Sequence, residues 1–430
     1  MRGARQRSRK ITGLVLAIFF VISFLTNILG PIIPDVIRSF GLSLTAAALL
    51  PFSFFLAYGA MSIPAGLWVE RFSEKPVILA AFVLSFAAAL GFAALPAYST
   101  AIVSLFAIGA CMAVLQVAIN PLLRVAGGEE RFAFNSALAQ LVFGLASFLS
   151  PRVYSWLVLS LGREEEEGAL VSLAAGLVPR GLEWVSVYWL FTLVTLAMVL
   201  ILLAFRFPRV ERKEEERAGS WSAYGSLLRK PVTPLYFASI FAYVGSEQGT
   251  ANWMSQFLAT YHRLDPQTAG ASAVSWFWGL MTAGCLAGLG LLKLFDSRHV
   301  LIGASAGALG ALTAALFGPA AVSAIAFPLI GLFASVMWPV LISLGLNSVA
   351  EHHGAFEGIL CTAIVGGAVV PLVIGRIGDQ LGLRAGMLFL YLTLGWVLSA
   401  GFWAKPLISN ETVRRRRGGR GEEGTWDATA

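Results

Sequence analysis

The sequence predicts an all-α membrane protein, with twelve transmembrane helices in two pseudo-symmetric six-helix bundles. Three observations carry that prediction. The 430 residues are 57% hydrophobic and 13% charged, with a mean hydropathy of +0.76, whereas a soluble domain is about a quarter charged. Apolar runs of about 20 residues recur along the whole chain, each long enough to cross ~30 Å of hydrocarbon as a helix. A charged stretch, RFPRVERKEEERAGSWSAYGSLLRK, divides those runs six and six. Membrane-spanning strands would be about 10 residues long and alternating, so a barrel is excluded.

In chain order, a basic cytoplasmic tail (1–10) precedes span 1, expected at 11–35. Spans 2 to 6 are expected at 44–69, 76–96, 100–125, 132–160 and 184–205. The polar linker is 206–230, and spans 7 to 12 follow at 234–261, 268–294, 300–317, 321–349, 356–377 and 385–404. The domains so defined are an N-terminal bundle, 11–205, and a C-terminal bundle, 231–405, with a cytoplasmic tail, 406–430, expected to be disordered. The first apolar run lacks an A-x-A-like cleavage site and exceeds a signal peptide's core, so it reads as a span. With the N-terminus placed inside, 24 of the 31 Lys and Arg residues fall on the inner side. That bias predicts a multi-pass protein of the plasma (inner) membrane with both termini cytoplasmic. Glu164 to Glu167 read as part of a solvated outer loop, and Asp35, Arg38, Asp379 and Arg384 as solvated helix ends. Proline interruptions recur in the two halves, at Asn120-Pro121 and Pro151, then at Trp338-Pro339 and Pro371. Such a repeat is the pattern of transporters built from two related bundles.

Span 7 holds the most informative residue. Glu247 lies near its middle, where an acid costs at least a few kcal/mol and ordinarily faces a wet cavity or a partner. Tyr243, Ser246, Gln248, Thr250, Asn252 and Gln256 surround it, and Gly245 and Gly249 bracket it. The plain alternative is a structural acid, bonded to neighbours or kept neutral. The functional reading is cation coupling or substrate binding. Desolvation favours the neutral form of a carboxyl, which would make proton exchange feasible; an ionised carboxylate could equally help to hold Na⁺.

Four stretches carry a resemblance to a known family: Tyr243-Val-Gly-Ser-Glu247-Gln-Gly-Thr-Ala-Asn252-Trp253 in span 7, Leu115-Gln116-Val-Ala-Ile-Asn120-Pro121 in span 4, Asn135-Ser-Ala-Leu-Ala-Gln140 in span 5, and Trp338-Pro339 with Gly366-Gly367-Ala-Val-Val-Pro371 and Gly378-Asp379 in spans 10 and 11. Together they resemble the major facilitator superfamily and, within it, the fucose:proton symporters and glucose/galactose permeases. The resemblance implies alternating access and transport of a monosaccharide, coupled to H⁺ or Na⁺. That family carries proton-linked acids in span 1 and span 4, which this chain does not match; span 4 has Gln116. The loop after span 2 is reduced, yet Glu70 and Arg71 remain as a candidate conformation-sensitive gating pair.

Gln116 and Asn120 share a face of span 4, and Gln248 and Asn252 a face of span 7, by their i, i+4 spacing. Asn27 in span 1 and Gln140 in span 5 join them as substrate-binding candidates, because amides offer both donors and acceptors to a polyhydroxylated solute. Helix–helix hydrogen bonding is the plain alternative for each. Trp253, Trp276, Trp278 and Trp338 are candidates for an aromatic wall against a sugar's apolar face; interface anchoring is the alternative.

Cys111, Cys285 and Cys361 and the four histidines form no metal-ligand pattern, and no cofactor or catalytic residue is expected. No G-x-x-x-x-G-K-[ST] loop is present, which argues against an ATP-driven pump. The net charge of +7 sits between and outside the spans and points to topology rather than nucleic acid. The expected partners are a small neutral solute and the lipid bilayer, with the chain a monomer. Efflux of a lipophilic compound and solute sensing without transport are the rival functions.

Overall fold

The computed structural model describes residues 9–128, 131–162, 176–205, 207, 221–349 and 351–407. Among them every regular element is helical. Eleven segments are long and apolar enough to cross a membrane: span 1 (Arg9–Phe40), span 2 (Leu44–Phe72), span 3 (Glu74–Ala94), span 4 (Tyr98–Gly127), span 5 (Phe134–Leu161), span 6 (Glu183–Ala204), span 8 (Pro266–Leu294), span 9 (Ser297–Phe317), span 10 (Ala320–Leu346), span 11 (Gly354–Leu381) and span 12 (Leu383–Trp403). Span 7, Val232–His262, is a continuous helix of 31 residues but falls outside that set. Its Ser, Thr, Gln, Asn and Glu residues dilute its hydropathy. Most of them are buried within the protein rather than set against lipid, where unsatisfied polar groups are costly.

Several spans break where proline dictates. A proline has no N–H to give to the carbonyl four residues earlier. Pro31 therefore leaves the Asn27 carbonyl unclaimed, and span 1 divides into Arg9–Thr26 and Leu29–Phe40. Pro339 does the same to Ser335, and span 10 divides into Ala320–Ala334 and Met337–Leu346. The Ser335 carbonyl accepts instead from Cys285 Sγ at 3.4 Å.

Two hydrophobic cores form, one per half. The first gathers spans 1 to 6, with Phe54, Phe82, Leu115 and Phe191 among its members; the second gathers spans 7 to 12 around Trp253, Phe277, Phe327 and Phe356. Part of the linker belongs to the second. The sequence reads 206–230 as a charged linker too polar to enter the membrane; within it Trp221–Leu228 is a helix that buries Leu227 in the C-terminal core, because its leucine and tyrosine side chains find apolar partners there. Residues 208–220, the tail beyond 407 and the acidic run Glu164 to Glu167 lie outside the described residues.

The bundles meet along three seams, span 1 on span 7, span 2 on span 11 and span 5 on span 8. An even number of spans puts Arg9, the span 6–7 connection and the end of span 12 on one side, the termini face. Toward the far face the seams are closed. Arg152 Nε donates to Ser275 Oγ at 3.0 Å, and Ser275 Oγ donates to the Phe148 carbonyl at 2.6 Å. Further along the same seam, a side chain at Gly144 would collide with Thr282. One turn nearer the termini face the contact is gone: Gln140 is exposed and Leu286 is 53% exposed. Span 1 touches span 7 where Gly30 lies against the Ala251 carbonyl, an approach only a residue without a Cβ allows.

Two carboxylates bond across the seams at the far face: Asp35 is buried, which corrects its reading as a solvated end, while Asp379 stays exposed. Asp35, 4% exposed, accepts from Tyr154 of its own bundle and from Gln267 Nε2 of the other at 3.3 Å. Asp379 accepts across the seam from the backbone N–H groups of Leu44 at 2.7 Å and Thr45 at 2.9 Å. It thereby caps the first turn of span 2, where free N–H groups await an acceptor.

Candidate functional site

Glu247 is the middle residue of span 7, ~22 Å from either end at 1.5 Å per residue. Its own helix sets its first partner. Tyr243 precedes it by four residues, one turn on the same face, and the phenol O–H donates to Glu247 Oε2 at 2.6 Å. The second oxygen accepts from Gln248 Nε2 at 3.0 Å. Tyr243 and Gln248 are buried at 4% and 5% exposure, but Glu247 itself is only partly buried. It lies on the face of span 7 that carries Ala251, one turn toward the termini face from the contact with Gly30. The carboxyl thus sits where spans 1 and 7 begin to part.

Two further spans close around it. Trp338, next to the break in span 10, is half-buried, and its ring lies 6.0 Å from that of Tyr243, tilted by 48°. Cys285 on span 8 lies near Glu247. No cation is paired with the carboxylate among the described residues, so two neutral donors hold it.

Of the amides in the N-terminal bundle, Gln116 is partly exposed and Asn120 and Gln140 are exposed. None of the three bonds to protein among the described residues. Gln116 and Asn120 form the open stripe of a helix whose adjacent Leu115, Ala118 and Ile119 are buried. Gln140 occupies the stretch of span 5 where the seam with span 8 has opened. An amide facing hydrocarbon would leave donors and acceptors unsatisfied, so a water-filled space between the bundles is the environment that suits them.

Other candidates lie elsewhere. Asn27 donates to Ser147 Oγ at 2.8 Å, tying span 1 to span 5 inside its own bundle. Trp253 is fully buried, its indole N–H given to the Pro371 carbonyl at 3.0 Å. Trp276, 48% exposed, packs on Phe148 toward the far face, with Arg152 over its ring. Trp278 is buried against Phe277, and among the described residues neither its indole N–H nor the Asn252 amide nitrogen has a protein partner. Glu70 and Arg71 end span 2 at the termini face, exposed, with Arg71 over Phe72. Tyr243 was legible from its i, i+4 spacing to Glu247. Cys285 carried no sequence signal, because span 8 is placed beside span 7 by packing alone.

A bundle pair with a polar, carboxylate-centred site at the parting line defines a membrane carrier, and the chain belongs to the Major Facilitator Superfamily, whose model matches residues 15–363. It is similar to the glucose/galactose transporter of Brucella abortus biovar 1 (strain 9-941), with 32% identity over 392 residues, covering 88% of this chain and 90% of that one. The L-fucose-proton symporter of Escherichia coli (strain K12) is 26% identical over 384 residues, covering 86% and 87%. The crystal structure of the transporter FucP in its outward conformation superposes with a TM-score of 0.64 at 21% identity, over 92% of this chain and 99% of that one, which shows the shared fold. The resemblance read from the four sequence stretches is thus met by family, relatives and fold.

Proposed function

We propose that this protein carries a neutral monosaccharide across the membrane by alternating access, in symport with a proton taken up by Glu247. One observation carries the reading: a partly buried carboxyl at mid-membrane depth, held by two neutral donors beside an aromatic ring where the two bundles begin to part. The relatives' names, glucose/galactose transporter and L-fucose-proton symporter, supply the solute class and the ion. The geometry accommodates a proton: each carboxylate oxygen accepts one hydrogen bond, from Tyr243 or Gln248, and keeps a second lone pair.

Trp338 forms the wall for the sugar's apolar face, while Gln116, Asn120 and Gln140 bond its hydroxyls from the other bundle. Glu70 and Arg71 change surroundings as the termini face closes. The orientation follows the Lys and Arg bias, with both termini cytoplasmic in the inner membrane. The chain acts as a monomeric carrier and performs no covalent chemistry.

Uptake of labelled glucose, galactose and fucose into proteoliposomes under separate proton and sodium gradients tests this. Glu247→Gln should abolish gradient-driven accumulation yet retain exchange, since exchange does not require the ion to leave. Concentrative uptake by that variant, or accumulation driven by sodium alone, would refute the coupling assigned here.

A further inference from the structure

Gln248 does not behave as a sugar contact. It is 5% exposed, and its amide is engaged by Glu247. The pairing itself needs explaining, because residues adjacent in a helix point to different sides and do not ordinarily meet. For the Gln248 amide to reach back to its neighbour's carboxylate, its stem must be held.

What holds it is the seam between the bundles. Gln248 Cγ lies against the bare backbone of Gly367 in span 11, so that a Cβ added there would stand 3.1 Å from Gln248 Cγ and 3.1 Å from Phe55 Cγ. Phe55 comes from the other bundle: it is a buried member of the N-terminal core on span 2, edge-on to Phe54 at 5.0 Å. The second donor is anchored differently. Tyr243 and Glu247 belong to one helix, so their bond survives any rigid movement of one bundle against the other. One carboxylate oxygen is therefore held from within its own bundle. The other is held by a side chain confined at a boundary that must part during alternating access.

We infer that Gln248 is a positioning residue that ties the ion-binding state of Glu247 to the seam between spans 2 and 11. While Phe55 and Gly367 confine the glutamine, its amide donates to Oε1 and supports the charged carboxylate. When span 2 leaves span 11, the confinement ends, the amide swings off and the carboxylate, with one donor fewer, takes up the proton more readily. The inference rests on reading Glu247 as the coupling acid and adds the link from ion to conformation. Tyr243 on span 7 and Cys285 on span 8 are the titratable groups beside the carboxylate among the described residues.

The test uses the full chain in proteoliposomes with labelled glucose. Gln248→Met keeps the stem against Gly367 and Phe55 but removes the donor. It should leave glucose exchange and KM near those of the parent, lower gradient-driven accumulation about tenfold and shift the pH profile of uptake, as loss of a hydrogen bond to a charged group would. Gly367→Ala, which crowds the same stem, should produce the same split. Parental accumulation with an unshifted pH profile in Gln248→Met would overturn the inference. So would a raised KM at an unchanged accumulation ratio, which marks a sugar contact, or exchange and accumulation falling together, which marks a structural role. Glu247→Gln run alongside separates the two levels. If it concentrates glucose, the coupling reading fails and this link with it. If it loses accumulation while Gln248→Met keeps it, only the role of Gln248 fails.

Discussion

At the scale of single residues, the same side-chain type serves unlike ends, and burial decides which. Asn27 and Asn120 are both amides within spans, but Asn27 gives its N–H to Ser147 while Asn120 is exposed and makes no bond to protein among the described residues. An interhelical hydrogen bond of the first kind is worth on average about 0.6 kcal/mol in a membrane protein. Asn27→Ala should therefore lower stability by about that amount, read as a small shift in detergent melting temperature, with KM for sugar unchanged. Trp338 and Trp253 differ in the same way. Trp253 has no free surface, whereas Trp338 stands half-open beside Tyr243. Losing an aromatic contact worth about 1.4 kcal/mol is a tenfold effect, so Trp338→Ala should raise KM about tenfold while gradient coupling persists. An unchanged KM in transport assays would remove Trp338 from the site.

Among elements, span 10 shows how a locally unfavourable residue shapes a site. Proline inside a helix costs about 3 kcal/mol relative to alanine, yet Pro339 breaks the helix just where Trp338 meets Tyr243. The freed Ser335 carbonyl then accepts from Cys285, which stands near Glu247. Pro339→Ala should let the helix close through this point. Its melting temperature should rise while sugar affinity falls, because the indole turns away from the phenol. A variant that melts higher and transports normally would show that the break does not place the ring. Span 7 makes the converse case: its polar residues give it the lowest claim to be a span by composition, and packing between spans 1, 8, 11 and 12 is what accommodates it.

For the whole molecule, the asymmetry of the seams is the main fact. The contacts from Arg152 to Gly144 close span 5 on span 8 toward the far face, while Gln140 and Leu286 lie exposed beyond them. A cysteine pair at Arg152 and Ser275, whose side chains meet across the seam at 3.0 Å, should therefore be bridged by a short bifunctional thiol reagent in this state, and a pair at Gln140 and Leu286 only when the termini face closes. Added transported sugar should change the ratio of the two products. The Asp379 cap opposes opening at the far face. Removing an N-terminal cap costs about 1 kcal/mol, so Asp379→Ala should shift the balance several-fold toward the second cross-link. An unchanged ratio would show that the cap does not restrain that movement.

The sequence by itself determined the class, because hydrocarbon imposes length and apolarity on every span that faces it, and those constraints are written residue by residue. It also determined Glu247 as the residue to watch, since an acid so far from water must have a reason. The i, i+4 relation of Tyr243 to Glu247 was legible as well, because helix geometry alone places the two together. Only the tertiary structure decided the rest. Neighbours drawn from distant spans, such as Cys285 near Glu247, Phe55 and Gln248 against Gly367, and Gln267 on Asp35, depend on how helices lie against one another. Packing between apolar surfaces is set by shape and leaves no periodic trace in the chain.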